Sequence, residues 1–557
     1  MLVSKHLSKT PLFGLITKYL QRAYFLEQMN EKNPGLENQI EDISEGRRQF
    51  LKTIGSAALI APMGQLWLDK QVSDTVRKLV RRRSLSSETV TILGGGISGL
   101  TTAYRLTQAG IPCEIFEASG RLGGRIFTKS NFNSQGMFCE LGGELIDSTQ
   151  MEILDLAQEL GVAIDDLTVG DAEIENQHYY FGGQHYYSKE IIAAFRPLAS
   201  HLKREALRLF TNFNNPVLDY KTHTRYAEEL DHVTLAEYLA SKTDVEKWAI
   251  DLISIAYLGE YGLDTEYQSA LNLHLLILGD DFGKGFSMFG SSDESRRIRG
   301  GNSRLIEALT AAISPQVKVH YDSALVKMTE KGSNVEMTFQ SGSGKTVTTT
   351  SSKIICTIPF SVLRSVEGIA GLGLSPVKLN CINTLGYGKN TKFMLGFKNR
   401  SWRLPTTKLP GSSGYTFTDL PSQVYWDTSR NQNGTKGVLT NFIGGSAATT
   451  IMPNRLEATL KDLDQVYPQL SSLYDGNNTL FAWAKNPYSL GSYTCPTPGQ
   501  WTSIVGSSSE SELGGKLLFA GEHTSETGQG YMNGAVASAN AVTQKVIAQV
   551  RGLVTAH

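Results

Sequence analysis

Cysteine is scarce in this 557-residue chain, with five residues at 113, 139, 356, 381 and 495. The odd count and the absence of any Cys-x-x-Cys pair argue against a disulfide framework or a thiolate zinc site. Cys113, Cys356 and Cys381 stand in apolar runs and read as small buried hydrophobes. Net charge is also lacking: −1 overall gives no reason for a nucleic-acid partner. The basic cluster Arg77, Lys78, Arg81, Arg82 and Arg83 is local and reads as a solvated segment. No Gly-x-Ser-x-Gly elbow occurs. His178 and His185 have no acidic partner at ligand spacing, so no metal is expected. What remains is ordinary globular composition, 40% hydrophobic and 19% charged, in a chain long enough for two domains.

Near the N-terminus, Gly46-Arg47-Arg48-Gln49-Phe50-Leu51-Lys52 matches the twin-arginine export pattern. The modestly apolar stretch Thr53 to Leu68 follows, too short and too weak for a membrane span. The leader before Arg47 is long, so Met29 is an alternative start, and without an Ala-x-Ala site retention as an anchor stays open. Residues 1–85 are therefore read as a leader carrying folded cargo to the periplasm or beyond.

The first strand is expected at Thr89 to Leu93, where apolar and β-branched residues dominate. Gly94-Gly95-Gly96-Ile97-Ser98-Gly99 follows at once, then a helix with Leu100, Ala103 and Tyr104 on one face, ended by Gly110. Pro112 to Glu117 forms a second strand closed by an acid. This is a dinucleotide fingerprint with a physical reason at each position. Gly94 permits the tight turn, Gly96 lets the backbone approach a pyrophosphate, and Gly99 lets helix and strand pack closely. The helix N-terminus presents its positive end to the phosphates, and Glu117 can accept hydrogen bonds from a ribose. An acid rather than an arginine there disfavours a 2′-phosphate and leaves NAD and FAD.

Gly120-Arg121-Leu122-Gly123-Gly124-Arg125 comes next. Two glycines and two arginines beside a dinucleotide fold make sense as an anion cradle. The segment resembles the second glycine motif of the flavin-containing amine oxidase family, which includes monoamine, polyamine and L-amino-acid oxidases. The resemblance runs on through Cys139-Glu140-Leu141-Gly142-Gly143-Glu144, Arg299 to Leu305, Ser323 to Met328, Ile354 to Pro359, Phe519-Ala520-Gly521-Glu522-His523 and Gly530-Tyr531-Met532-Asn533-Gly534-Ala535. It implies an α/β chain: a Rossmann-like FAD-binding domain (86–165, 296–370 and 495–557) interleaved with an α+β substrate domain (166–295 and 371–494). Helical walls are expected at Lys189 to Phe210 and Thr234 to Leu258. A hairpin is expected from Val335 to Thr350.

By the same resemblance FAD would be held by Gly94, Gly96, Ile97, Ser98, Gly99, Glu117, Ala118, Arg121, Gly123, Gly124, Arg125, Gly142, Gly143, Glu144, Leu325, Gly521, Glu522, Tyr531, Met532 and Ala535. The arginines would neutralise the pyrophosphate, and the helix opening at Met532 would point at the flavin. Lys392 matches the lysine that holds a water against flavin N5. Tyr493 and Tyr531 match a pair of facing rings that align the substrate nitrogen, and Trp483 a tryptophan beside the flavin.

Two departures from the family are informative. Ser492 stands where animal monoamine oxidases carry the flavin-bonded cysteine, so FAD is expected to be non-covalent. Gly143-Glu144-Leu145 lacks the arginine with which animal L-amino-acid oxidases clamp a carboxylate. Glu144 is read either as a carboxylate favouring a cationic amine, diamine or polyamine, or as a buried hydrogen-bonding group. Arg296, Arg297 and Arg299 remain alternative clamps. The expected reaction is oxidation of an amine C–N bond by hydride transfer to flavin, with an L-amino-acid oxidase as the alternative. The expected partners are the amine, O2 or a periplasmic electron acceptor and the twin-arginine machinery, with a homodimer left open.

Overall fold

The computed structural model describes residues 89–550 except 170, 172–173, 212–216, 279–292, 407–408, 451 and 527. The twin-arginine segment lies outside the described residues. The chain opens with β1 (Val90–Leu93), α1 (Ile97–Gln108) and β2 (Cys113–Phe116). It then leaves through β3 (Cys139–Glu140), β4 (Glu175–Phe181), β5 (Gln184–Tyr186), α2 (Ser188–Leu209) and α3 (Lys247–Tyr261). It returns through α4 (Ser303–Ile313), β6 (Lys318–His320), β7 (Ala324–Lys331), β8 (Asn334–Gln340), β9 (Thr346–Ser351) and β10 (Ile354–Cys356). A second excursion carries β11 (Thr391–Phe397), β12 (Ser412–Thr418), β13 (Val424–Asp427), β14 (Gly437–Ile443) and β15 (Tyr474–Ala482). The chain closes with β16 (Leu517–Phe519) and α5 (Met532–Val550).

Five short strands form a parallel sheet in the order β16-β10-β1-β2-β6. β1 is buried along its whole length because helices cover the sheet, which is why it reads as a continuous β-branched and apolar run. Leu100, Ala103 and Leu106 of α1 join Ile92 and Ile115 with Leu305 and Leu309 of α4 and Val536 and Val542 of α5 in one core. The second sheet has seven strands in the order β15-β11-β14-β13-β12-β4-β5, antiparallel except for β4 beside β12. Helices α2 and α3 pack on it through a separate core that includes Phe195, Leu252, Tyr257 and Phe417. No helix among the described residues is long and apolar enough to cross a membrane.

The two glycine-dependent close approaches behave as the fingerprint requires. Gly94 sits at φ +101°, and a Cβ on Gly99 would lie 2.0 Å from the Gly94 carbonyl oxygen. The expected hairpin forms as β8 and β9. The single helix expected over Thr234 to Leu258 is two: Leu235–Ala240 and α3. The polar run Ser241-Lys242-Thr243-Asp244 breaks it, because such residues compete for backbone hydrogen bonds and favour caps and turns.

Candidate active site

The two sheets meet around a cleft of about 1940 Å3 including its open mouth. Its lining runs from the glycine loop past Ser98 and Arg125 to Tyr493 and Tyr531. One end is built by the glycine loop and α1; the other by β11, β13, β14 and the segment around Tyr493.

At the loop end, the first turn of α1 has no side-chain cap and no acidic residue. Its N–H groups and the helix dipole are left to an anion. A Cβ on Gly96 would meet nothing nearer than the Gly124 Cα at 4.0 Å, so the backbone there is bare. Ser98 lines the cleft, and its buried hydroxyl has no partner. Glu117 fixes the loop: one oxygen accepts the Gly95 N–H at 2.7 Å, the other accepts the N–H and hydroxyl of Ser119 at 2.8 and 2.7 Å. An uncapped helix, an orphaned hydroxyl and bare backbone fit a dinucleotide pyrophosphate.

Both arginines line the cleft and have protein partners. Arg121 donates to the carbonyls of Leu122 (3.2 Å), Gly124 (2.6 Å) and Ile126 (3.2 Å) and lies 4.1 Å over the Phe127 ring. It clamps its own loop. Arg125 donates to the Ser492 carbonyl and to Glu522, both at 2.8 Å, so its charge is already matched by a carboxylate. The other oxygen of Glu522 accepts from Thr494 at 3.0 Å. The donors without a side-chain cap at this end are the backbone N–H groups at the start of α1. Ala118, Gly123, Leu325, Gly521 and Ala535 also line the cleft, while Met532 opens α5. A Cβ on Gly143 would lie 2.8 Å from the Met532 sulfur, and one on Gly142 would lie 1.9 Å from the Arg125 carbonyl oxygen.

At the other end, β11 carries Lys392 into the cleft, 5% exposed. Its ammonium donates to Glu144 at 2.8 Å, to the Gly142 carbonyl at 2.8 Å and to the Glu140 carbonyl at 3.3 Å, and lies 5.0 Å from the Trp426 ring centre. All three hydrogens are thus engaged; holding a water would require the 3.3 Å contact to yield. Glu144 also accepts from the Thr428 hydroxyl at 2.8 Å and lies 3.7 Å from Arg297. Burial alone would raise its carboxyl, but Lys392, Arg297 and these hydrogen bonds hold it below the usual range. Of the two sequence readings, Glu144 is therefore the buried hydrogen-bonding group, neutralised inside the protein. Behind it, burial pushes the Glu140 carboxyl up to about 7, with the charge of Glu144 adding.

Tyr493 and Tyr531 both line the cleft. Their hydroxyls anchor on consecutive residues of α3, Tyr493 to the Gly259 carbonyl at 2.6 Å and Tyr531 to Glu260 at 3.2 Å. Burial and then the charge of Glu260 push both phenols far up, so they keep their protons. Trp483 donates its indole N–H to the Leu141 carbonyl at 2.7 Å beside Gly142. The Ser492 hydroxyl donates to Asn390 at 2.5 Å.

None of the alternative arginine clamps lines the cleft. Arg296 pairs with Asp166, Arg299 with Asp165, and Arg297 donates to the Thr428 and Arg430 carbonyls. Sequence reasoning missed Trp426, Phe442, Asn390 and Glu294 in the lining and Thr428 and Glu260 behind it. Only the acid in Tyr257-Leu258-Gly259-Glu260, inside an apolar helical run, carried a sequence signal; the others sit in unremarkable strand and loop contexts.

A model of flavin containing amine oxidoreductases matches residues 97–547. The chain is 25% identical over 489 residues to the flavin-dependent L-tryptophan oxidase RebO of Lentzea aerocolonigenes, covering 82% of this chain and 97% of that one. It is 23% identical over 475 residues to the flavin-containing amine oxidase of Oncorhynchus mykiss, covering 82% and 85%. The structure resembles cyclohexylamine oxidase of Brevibacterium oxydans with a TM-score of 0.68 at 18% identity, over 83% of this chain and 99% of that one.

Proposed function

This chain belongs to the flavin containing amine oxidoreductases, and from that premise we propose that it oxidises a primary amine, diamine or polyamine, with non-covalent FAD and O2 as acceptor. FAD bound in the cleft supplies the two-electron acceptor for the hydride equivalent leaving the carbon beside nitrogen. The residues fitted to its pyrophosphate are Gly96, Ile97, Ser98 and the loop fixed by Glu117. Ser492 in place of a cysteine supports a non-covalent mode, and no cysteine lines the cleft among the described residues.

The observation that carries the reading is the pair of cleft-lining tyrosines tethered to Gly259 and Glu260, in the same cleft as the buried Lys392. Hydroxyls tied back to α3 leave the rings as walls. Apolar walls, Trp426 and Phe442 among them, favour the neutral amine over its ammonium form, as the chemistry requires. Lys392 and Glu144 each serve as the other's counter-ion at this end of the cleft. The imine product hydrolyses to a carbonyl compound and ammonia or a smaller amine.

A free amine is preferred to an amino acid because the only arginines lining the cleft among the described residues, Arg121 and Arg125, serve the loop end. The second reading, an L-amino-acid oxidase, is favoured by the relative named as an L-tryptophan oxidase. Anaerobic bleaching of the flavin by a panel of amines, polyamines and L-amino acids separates the two; bleaching by amino acids alone would reject the first. Yellow colour should leave the protein on acid precipitation, and retention in the pellet would reject the non-covalent mode. The Arg47-Arg48 segment supports export as folded holoprotein to the periplasm, since a cofactor acquired in the cytoplasm must be enclosed before export. Replacing both arginines with lysine should leave active protein in the cytoplasm.

A further inference from the structure

Asn390 lines the cleft, is 1% exposed, and has its carboxamide hydrogen-bonded on both sides. It stands two positions before Lys392, at the entry to β11, and strand alternation puts the two side chains on one face. The carboxamide nitrogen donates to the Gly259 carbonyl at 3.2 Å, and the oxygen accepts the Ser492 hydroxyl at 2.5 Å. Because a carbonyl only accepts, the nitrogen must face Gly259, which leaves the oxygen for Ser492. Gly262 makes room for this group: a Cβ there would lie 2.1 Å from the Asn390 side-chain oxygen. The backbone carbonyl of Asn390 accepts the Trp483 N–H at 3.3 Å.

These contacts converge on Tyr493. The Gly259 carbonyl that takes the Asn390 N–H also takes the Tyr493 hydroxyl at 2.6 Å, and Ser492 is the chain neighbour of Tyr493. The same segment fixes the backbone there: Gly388 donates its N–H to the Tyr493 carbonyl at 2.7 Å and accepts the Ser492 N–H at 2.9 Å. One carboxamide therefore braces the acceptor at the phenol end of the ring and the chain at its Cβ end. A ring held through its hydroxyl alone keeps two torsions by which it can swing, and bracing at both ends removes that freedom.

Resting on the amine reading, we infer that Asn390 is a positioning residue, holding the Tyr493 ring in the orientation that aligns the reacting amine. It acts through Tyr493 and takes no part in bond making. Rates are steep in such placement: a displacement of about 1 Å can cost roughly 100-fold. Loss of the carboxamide should slow the limiting rate more than it weakens binding, because the amine still enters the same apolar walls but in the wrong alignment.

The test is anaerobic stopped-flow reduction of the FAD-loaded enzyme by the amine that bleaches the wild type best. Asn390→Ala should lower the limiting reduction rate by about 10- to 100-fold, with less than about a threefold change in the apparent Kd of the amine. In a Tyr493→Ala background the same substitution should change the rate by less than about twofold, because the ring it positions is gone. An unchanged limiting rate in Asn390→Ala, or a loss carried undiminished into Tyr493→Ala, would overturn the inference. Fluorine NMR of the apoprotein labelled with fluorotyrosine reads the brace without flavin or amine. The Tyr493 signal, assigned by its loss in Tyr493→Phe, should move in Asn390→Ala and, by less, in Ser492→Ala, which removes one brace only. A signal unmoved in whichever of the two folds overturns the inference. Reduction of the wild type by L-amino acids and by no amine rejects the amine reading, while the fluorine signal still decides whether Asn390 holds the ring.

Discussion

Replacing Lys392 with methionine should destabilise the protein while preserving side-chain length and apolar packing. Lys392 and Glu144 form a buried ion pair at 2.8 Å, their side chains 7% and 3% exposed. Removing one member of such a pair leaves a buried charge without its partner, at a cost of about 3–5 kcal/mol. The lower end applies here, since Glu144 keeps the Thr428 hydroxyl at 2.8 Å and Arg297 at 3.7 Å. Glu144→Gln should cost more, about 4–5 kcal/mol, because it strips the counter-charge from Lys392 and Arg297 together. The double variant should lose less than the sum, with a coupling of about 2–3 kcal/mol. The deficit of Lys392→Met should shrink as pH falls through the ordinary carboxylate range. Glu144 is held below that range in the wild type and stabilises the fold only while ionised; once protonated it needs no counter-ion. Urea unfolding of the apoprotein, followed by tryptophan fluorescence at pH 8 and pH 4.5, reads both effects. Losses that add within about 0.5 kcal/mol, or a deficit independent of pH, would refute the pairing as the source of stability.

Three further outcomes are expected. Glu140, raised to about 7, favours the fold in its protonated form. Its contribution should be present below pH ~4.5 and disappear as pH rises to about 7, a span of roughly 3 kcal/mol; Glu140→Gln should flatten that slope in urea midpoints taken from pH 5 to 8. Gly99→Ala should yield misfolded protein, because the new Cβ would lie 2.0 Å from the Gly94 carbonyl oxygen, whereas Gly96→Ala should fold with a normal melting temperature but retain little flavin, since its Cβ meets only open cleft. The absorbance ratio at 450 and 280 nm separates these cases. Tyr531→Phe gives up one 3.2 Å hydrogen bond to Glu260 and should cost about 1 kcal/mol of stability with flavin reduction largely intact, whereas Tyr531→Ala removes the ring and should slow reduction severely; equal reduction rates in the two would mean the ring does not align the substrate.

The dinucleotide fold was legible because its constraints are local. A glycine at a φ of +101°, another against a carbonyl, and a strand, turn and helix in sequence leave their marks on adjacent residues. The break between Ala240 and Lys247 was missed because apolar spacing continues across it, while the interrupting signal is only a short polar run. Arg121 and Arg125 read as an anion cradle; Arg121 donates to carbonyls one to five positions away, whereas Arg125 meets Glu522 from 397 positions away, a pairing no local pattern reveals.

The sequence by itself determined a Rossmann-like dinucleotide fold, because that follows from short-range backbone geometry and motif spacing, while the flavin and the residues gathered at its cleft were implied by resemblance to a family. Only the tertiary structure decided what each charge does. Glu144 meets Lys392 from 248 positions away and Thr428 from 284, so whether it faces a substrate or a counter-ion depended on two sheets coming together. Glu294 likewise gains its acidic neighbours Asp147 and Glu260 only from the assembled fold.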